Sequence, residues 1–148
     1  RKALKMKLIS HRGNLFGPSF GENSPLKIEK ALSMGFDVEI DVWKFGEDFW
    51  LGHDYPEYNI SPEFLLNDSL WCHAKNLDAF TSMLMSGAHC FWHQEDDYTL
   101  TSHGLIWIYP EKPICEDGVI VCKSLNSTME MSKAEVYGIC SDFVGEVV

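Results

Sequence analysis

The chain has 148 residues, of which 45% are apolar, and this favours one globular domain with a hydrophobic core over a disordered chain. The formal net charge of −10 disfavours nucleic-acid binding, because a protein that grips a phosphate backbone needs a basic surface. No apolar run approaches the roughly 18 residues of a transmembrane helix. The basic N-terminal segment is too short in its apolar part for a signal peptide.

The five cysteines are odd in number and form no CxxC pair. Cys72, Cys90, Cys122 and Cys140 each lie within an apolar run typical of a strand. We therefore expect buried, reduced thiols and a cytoplasmic protein.

The first elements form a βαβ unit. Residues 5–10 predict a strand, and residues 11–23, with three glycines and one proline, predict an irregular loop. A helix is predicted over 25–34, because Ser24 and Pro25 suit its N-terminus and Gly35 its end. Residues 36–42 alternate apolar and acidic side chains, which predicts a strand whose acidic residues share one face.

Further apolar runs predict strands at 49–51, 70–74, 89–93, 105–109, 118–122 and 137–141. Helices are predicted over 61–66, 77–86 (with Asn76 as cap) and 127–135. The alternation predicts an α/β fold with a mainly parallel sheet. The strand count favours a compact (β/α) TIM-type barrel over residues 1–148, with reduced or missing helices because such barrels usually need about 250 residues.

Glu39 and Asp41 are two residues apart on one strand, so their carboxylates lie side by side. Such a pair repels unless a cation lies between the two groups, and oxygen ligands suit Mg²⁺ or Ca²⁺. The alternative is the solvated face of a half-buried strand. Asp37 shares the face but lies at the start of the strand, where sites of parallel barrels do not form.

Basic side chains follow several predicted strands. His11 and His53 suit an acid/base pair for phosphoryl transfer, and Arg12 and Lys75 suit phosphate binding. Taken singly, each is more often a structural or solvated residue.

Three further candidates are His73, which precedes Lys75 on the same face, His93, which ends a strand, and Trp107, which suits a pocket wall or the core.

Five motifs occur in order: HRG (11–13), EN (22–23), a glycine after the helix (Gly35), ExD (39–41) and HD (53–54). With these motifs the chain resembles the glycerophosphodiester phosphodiesterase family of TIM-barrel phosphodiesterases. The lysine at 75 and the segment YGICSDFV, with Asp142 at the family's aspartate, are similar to later motifs of that family.

The resemblance implies a hydrolase of lipid metabolism that cleaves a small phosphodiester with Mg²⁺ or Ca²⁺, or alternatively Mn²⁺. His11 and His53 are then the acid/base pair, and Arg12 and Lys75 hold the phosphate. Glu39, Asp41 and Glu22 are implied at the metal. Whether water or a neighbouring hydroxyl attacks, giving a hydrolysed or a cyclic product, stays open.

One departure concerns the metal. The family usually has a glutamate ligand two residues before the third-strand lysine, and this chain has His73 there. The change implies either a preference for softer ions or loss of the metal. The alternative function is therefore a degenerate family member that binds a phosphorylated ligand or sugar phosphate without turnover.

Overall fold

A computed structural model describes residues 5–147 of the chain. The strands are β1 (Lys7–His11), β2 (Asp37–Phe45), β3 (Asp48–Leu51), β4 (Tyr58–Ile60), β5 (Leu70–Ala74), β6 (Cys90–Phe91), β7 (Tyr98–Leu100), β8 (Ile106–Ile108), β9 (Gly118–Cys122) and β10 (Gly138–Ser141). The α-helices are α1 (Pro25–Ser33), α2 (Leu77–Ser86) and α3 (Leu125–Met131), and short 3-10 helices cover Pro62–Leu66 and Val144–Glu146.

All ten strands belong to one mixed sheet. Seven of them are parallel neighbours in the order β6-β5-β2-β1-β10-β9-β8. The other three pair antiparallel: β3 with the end of β2, β4 with β3, and β7 with β8. This order puts β1 at the centre, between β2 and the last strand of the chain.

The predicted TIM-type barrel is wrong. The sheet is a curled half-barrel with only three α-helices, and no ladder among residues 5–147 joins β6 to β8. A TIM barrel needs eight parallel strands, each followed by a helix. Here three antiparallel pairings, in the β2–β3–β4 meander and the β7–β8 hairpin, take the place of helical crossovers. A hairpin needs only a short turn, whereas a parallel crossover needs about a dozen residues.

Most local predictions hold, with several changes. The structure adds two strands that were not predicted, β4 and β7, and the helix predicted over 61–66 is a short 3-10 helix. The helices after Ser24 and Asn76 are confirmed, and both side chains accept a hydrogen bond from a backbone N–H in the first turn. The strand predicted at 89–93 is reduced to β6. The helix predicted at 127–135 is α3, which begins earlier because Ser124 caps it.

The sheet has an apolar layer on each face. On the outer side, Val38, Ile40 and Val42 of β2 are fully buried in a cluster that includes Ile28 of α1 and Met83 of α2. The concave side holds a second cluster, contributed by six different strands: Ile9, Trp71, Phe91, Trp107, Val119 and Cys140. This second layer fills the concavity and forms a floor beneath the strand ends.

The cysteine prediction is confirmed in its structural part. All five cysteines are free thiols, and the four in strand-like runs are buried. Among the described residues, no helix combines the length and apolar character needed to cross a membrane.

Candidate functional site

Polar side chains gather where three neighbouring parallel strands end. The strand register sets His11 of β1 opposite Glu39 of β2, and Asp41 of β2 opposite His73 of β5. Because alternate residues of a strand share a face, all four side chains project to the concave side. The arrangement brings residues from three separate segments into one site.

A cavity of about 680 Å³ opens at these strand ends. Its walls include eight of the ten site residues predicted from the sequence: His11, Arg12, Glu39, His53, His73, Lys75, His93 and Trp107. The walls also contain Gln94, Tyr109, Lys123 and Asp142. A second cavity of about 830 Å³ adjoins it and shares Pro110, Val121, Cys122 and Lys123.

Glu39, Asp41 and His73 form a potential metal-binding group, whose donor atoms all lie within 4.8 Å of one another. Nδ1 of His73 is 3.2 Å from Oδ1 of Asp41 and 3.7 Å from Oε2 of Glu39. Oε1 of Glu39 and Oδ1 of Asp41 are buried and accept no well-aligned hydrogen bond from residues 5–147. Buried oxygens of this kind usually have a partner, so the residues present suit a bound cation.

The two carboxylates are not the solvated face of a strand. Glu39 is 3% exposed and Asp41 is fully buried. Burial and the neighbouring Asp41 charge raise the pKa of Glu39. Burial also acts to raise the pKa of Asp41, but His73, Arg12 and Asn23 outweigh it and lower this pKa to about 2. Without a cation, one acid of the pair is therefore readily protonated and the other is held ionised.

The orientation of His73 is set by a backbone group. Its Nε2 donates a hydrogen bond to the carbonyl oxygen of His93 at 2.8 Å. This bond places the proton on Nε2, and Nδ1 then faces the two carboxylates. Burial lowers the pKa of His73, but the contacts with Asp41 and Glu39 outweigh it and raise the pKa.

Asn23 holds the other side of Asp41. Its amide nitrogen donates to Oδ2 of Asp41 at 2.9 Å, and its amide oxygen accepts from the Asp41 backbone N–H at 2.9 Å. Asn23 is fully buried and has a φ of +67°, a left-handed conformation that asparagine tolerates better than most residues. The asparagine of the EN motif therefore positions a carboxylate of the potential metal-binding group.

Glu22 does not join the potential metal-binding group. Its Oε2 accepts a hydrogen bond from Nδ2 of Asn14 at 2.7 Å, and its Oε1 lies 3.3 Å from Arg12. Nε of Arg12 also lies 3.4 Å from Oδ2 of Asp41. In the structure Glu22 orients Arg12, while His73 supplies the third donor beside Glu39 and Asp41.

His11 is paired with an acid from the far end of the chain. Its Nδ1 lies 2.8 Å from Oδ1 of Asp142, which also accepts a hydrogen bond from Asn14. Nε2 of His11 is 3.8 Å from Oε1 of Glu39. Burial lowers the pKa of His11, but Asp142 and Glu39 outweigh it and raise the pKa.

His53 and Lys75 lie at the mouth of the cavity. His53 follows β3 and its Nδ1 contacts Oδ1 of Asp54 at 2.9 Å. Gly52 sets this segment, because a Cβ there would lie 2.0 Å from the backbone oxygen of Tyr55. Lys75 follows β5 and its backbone N–H donates to Val42.

The remaining candidates are mainly structural. Trp107 is 4% exposed and stacks on Phe91 with ring centroids 4.5 Å apart, so it forms the cavity floor. His93 stacks near Tyr109 and its Nε2 contacts the backbone oxygen of Asp96. Asp37 accepts a hydrogen bond from the indole of Trp71, away from the metal group.

Several residues of the site carry little sequence signal. Lys123 and Tyr109 line the cavity, with the ammonium 5.3 Å from the ring centroid, but each is an isolated residue in the sequence. Asn14 stands in the glycine-rich loop without a motif. Asp142 follows a predicted strand and lies in the segment YGICSDFV, but neither signal indicates its contact with His11. Only the folded sheet, which makes their strands neighbours, shows that these residues belong to the site.

Comparison of the chain with protein-family models, with curated proteins and with solved structures found no match.

Proposed function

We propose that the chain is a metal-dependent phosphodiesterase that cleaves a glycerophosphodiester or a related small diester by histidine acid/base catalysis. The observation that carries the proposal is the shared cavity. Two histidines, His11 and His53, line it together with the cations Arg12 and Lys75, and Glu39 of the potential metal-binding group forms part of the same wall. These three kinds of group can act together in phosphodiester cleavage, as proton donors and acceptors and as stabilisers of the phosphoryl charge.

The potential metal-binding group fits a divalent cation through Oε1 of Glu39 and Oδ1 of Asp41, which accept no well-aligned hydrogen bond from residues 5–147, and through Nδ1 of His73. When bound, such an ion supplies Lewis-acid stabilisation of charge on a phosphoryl oxygen. Arg12 and Lys75 add positive charge on the same cavity wall. Together these groups offset the net negative charge of the protein at the cavity, so that an anionic substrate can bind there.

His11 acts as the general base. The contact with Asp142 holds the proton on Nδ1, so Nε2 keeps a lone pair that faces the cavity. Nε2 accepts the proton of the attacking group, which is water in hydrolysis or a neighbouring hydroxyl of the substrate in cyclisation. Asp142 also stabilises the imidazolium that results, as a buried carboxylate does for a catalytic histidine.

His53 acts as the general acid at the leaving oxygen. It is partly exposed at the mouth, where the side-chain exposure is 39%, and its Nδ1 is held by Asp54. A group at the mouth donates to an alcohol that departs toward solvent.

The test is hydrolysis of bis(4-nitrophenyl) phosphate and of a glycerophosphodiester in Mg²⁺, Ca²⁺, Mn²⁺ or Zn²⁺. The wild type is compared with His11→Ala, and His103→Ala is the matched control because His103 is exposed outside the cavity. We expect His11→Ala to lose about 100-fold or more in kcat, the usual range for an acid/base group. His103→Ala should retain activity.

No activity in any of these metals, or equal activity of the wild type and His11→Ala, contradicts the proposal. Binding of the diester without turnover would instead favour a phosphate-binding protein. Such a binder has no need of the His11–Asp142 pair. The free thiols suit a reducing compartment, and we assign the activity to the cytoplasm.

A further inference from the structure

We propose that His73 makes the metal site selective for ions that accept an imidazole nitrogen, such as Zn²⁺, Fe²⁺ and Co²⁺, over Mg²⁺ and Ca²⁺. This inference rests on the proposed function only in its metal site. The binding experiment below needs no substrate, so failure of catalysis and failure of the inference are distinguishable.

The first argument is the position of His73 in the sheet. β5 lies beside β2, and its register sets His73 directly opposite Asp41. Nδ1 lies within 4 Å of an oxygen of both Asp41 and Glu39. A cation between these carboxylates therefore has an imidazole nitrogen as its third protein donor.

The second argument is that His73 is oriented as a metal-bound histidine is. Ligating histidines usually donate the other ring N–H to a carbonyl or carboxylate, which fixes the tautomer. Here Nε2 donates to the His93 carbonyl oxygen, and the imidazole stacks parallel to Phe91 with centroids 5.2 Å apart. The ring is thus held by two contacts that leave Nδ1 directed at the acids.

The third argument is the pair of buried oxygens. Oε1 of Glu39 and Oδ1 of Asp41 have no aligned donor within the described part of the chain, although both residues are more than nine-tenths buried. Two carboxylates alone suit Mg²⁺ and Ca²⁺, which prefer oxygen ligands. An added imidazole nitrogen shifts the affinity order toward later first-row ions.

The experiment is calorimetric titration of the protein with Zn²⁺, Co²⁺, Mg²⁺ and Ca²⁺ separately, for the wild type and His73→Glu. Glutamate restores an all-oxygen set of three carboxylates. We expect the ratio of the Mg²⁺ dissociation constant to the Zn²⁺ dissociation constant to fall at least about tenfold in the variant. The matched control is His103→Glu, which makes the same change at an exposed histidine and should leave the ratio unchanged.

A second measurement begins with the wild type, so its first result does not depend on how well the variant folds. Zinc X-ray absorption should contain the outer-shell scattering of a coordinated imidazole, and His73→Glu should lose that contribution. An unchanged ratio in His73→Glu, or an all-oxygen zinc shell in the wild type, overturns the inference. Absence of metal binding in the wild type overturns both the inference and the metal dependence of the proposed enzyme.

Discussion

Replacing Glu39 by glutamine should stabilise the metal-free protein at alkaline pH. The glutamine side chain has nearly the same shape as that of glutamate but would place no charge beside Asp41. The wild-type residue is 3% exposed, and burial together with the Asp41 charge raises its pKa from 4.5 to about 7. The ionised carboxylate is therefore unfavourable in the folded state.

The sign of the pH dependence follows from this raised pKa. Between pH 4.5 and about 7 the folded protein binds a proton at Glu39 that the unfolded chain has released. Stability therefore falls as the pH rises through this interval, and the loss is complete above it. Each pKa unit corresponds to about 1.4 kcal/mol, so the ionised group costs on the order of 3 kcal/mol at pH 8.

The assay is thermal and urea unfolding of the wild type and Glu39→Gln in excess chelator. At pH 8 we expect the variant to gain on the order of 3 kcal/mol, or about 6–12 °C in Tm for a chain of this length. At pH 5 the gain should nearly vanish. Added Zn²⁺ should raise the Tm of the wild type and have little effect on the variant, because one ligand is lost.

Glu22→Gln is the matched control. Glu22 is partly exposed and bonded to Asn14 and Arg12, so the same chemical change there should give a small loss of stability at either pH. Equal or lower stability of Glu39→Gln at pH 8 would refute the buried like-charge pair. A gain of equal size at pH 5 would refute the assigned titration.

Three further predictions concern other parts of the fold. Burial lowers the pKa of His89 to about 4, so the neutral histidine contributes to folding stability fully above pH 6.5, and this contribution is lost as the pH falls toward 4. Unfolding of the wild type should show a loss of stability on the order of 2–3 kcal/mol over this interval, and His89→Gln should reduce that loss. Gly52→Ala puts a Cβ 2.0 Å from a backbone oxygen; it should cost more than about 2 kcal/mol in urea unfolding, whereas Gly46→Ala, with open space around its Cβ, should cost about 1–2 kcal/mol through its positive φ. Asp142→Asn removes the acid that holds Nδ1 of His11; kcat for a diester should fall about 100-fold with little change in KM, and the pKa seen in the pH–rate profile should move down.

A specific result would contradict each of these three predictions. A stability profile of His89→Gln that parallels the wild type from pH 4 to 6.5 would exclude that histidine as the titrating group. Equal losses for Gly52→Ala and Gly46→Ala would mean that the turn before His53 adapts. An unchanged pH–rate profile of Asp142→Asn would show that Asp142 does not affect the pKa of His11.

The strands and helices are largely readable from the sequence because local patterns decide them. Alternation over 36–42 predicted β2 and placed its acids on one face, and serine or asparagine caps marked the helix starts. Periodicity distinguishes two faces of a strand but does not say which one meets solvent. Only the curled sheet, which encloses the acidic face, decided that Glu39 and Asp41 are buried.

The global architecture depends on contacts that no local pattern records. The run of strands suggested a closed barrel, but the two-residue β6 and the β7–β8 hairpin leave the parallel series open. Strand lengths and neighbours follow from how the whole chain packs. The same pattern of apolar runs fits a closed barrel and a half-barrel.

The sequence by itself determined which chemical groups stand at the strand ends, because each of them belongs to a recognisable motif. These residues are His11, Arg12, the ExD acids, His53 and Lys75. The tertiary structure alone decided their partners. It set His73 opposite Asp41 through the β2–β5 register and brought Asp142 to His11 across 131 positions of the chain. Pairing between distant strands costs chain entropy, and only the interactions of the assembled sheet compensate for that cost. Neither contact therefore leaves a signal in its own segment of the sequence.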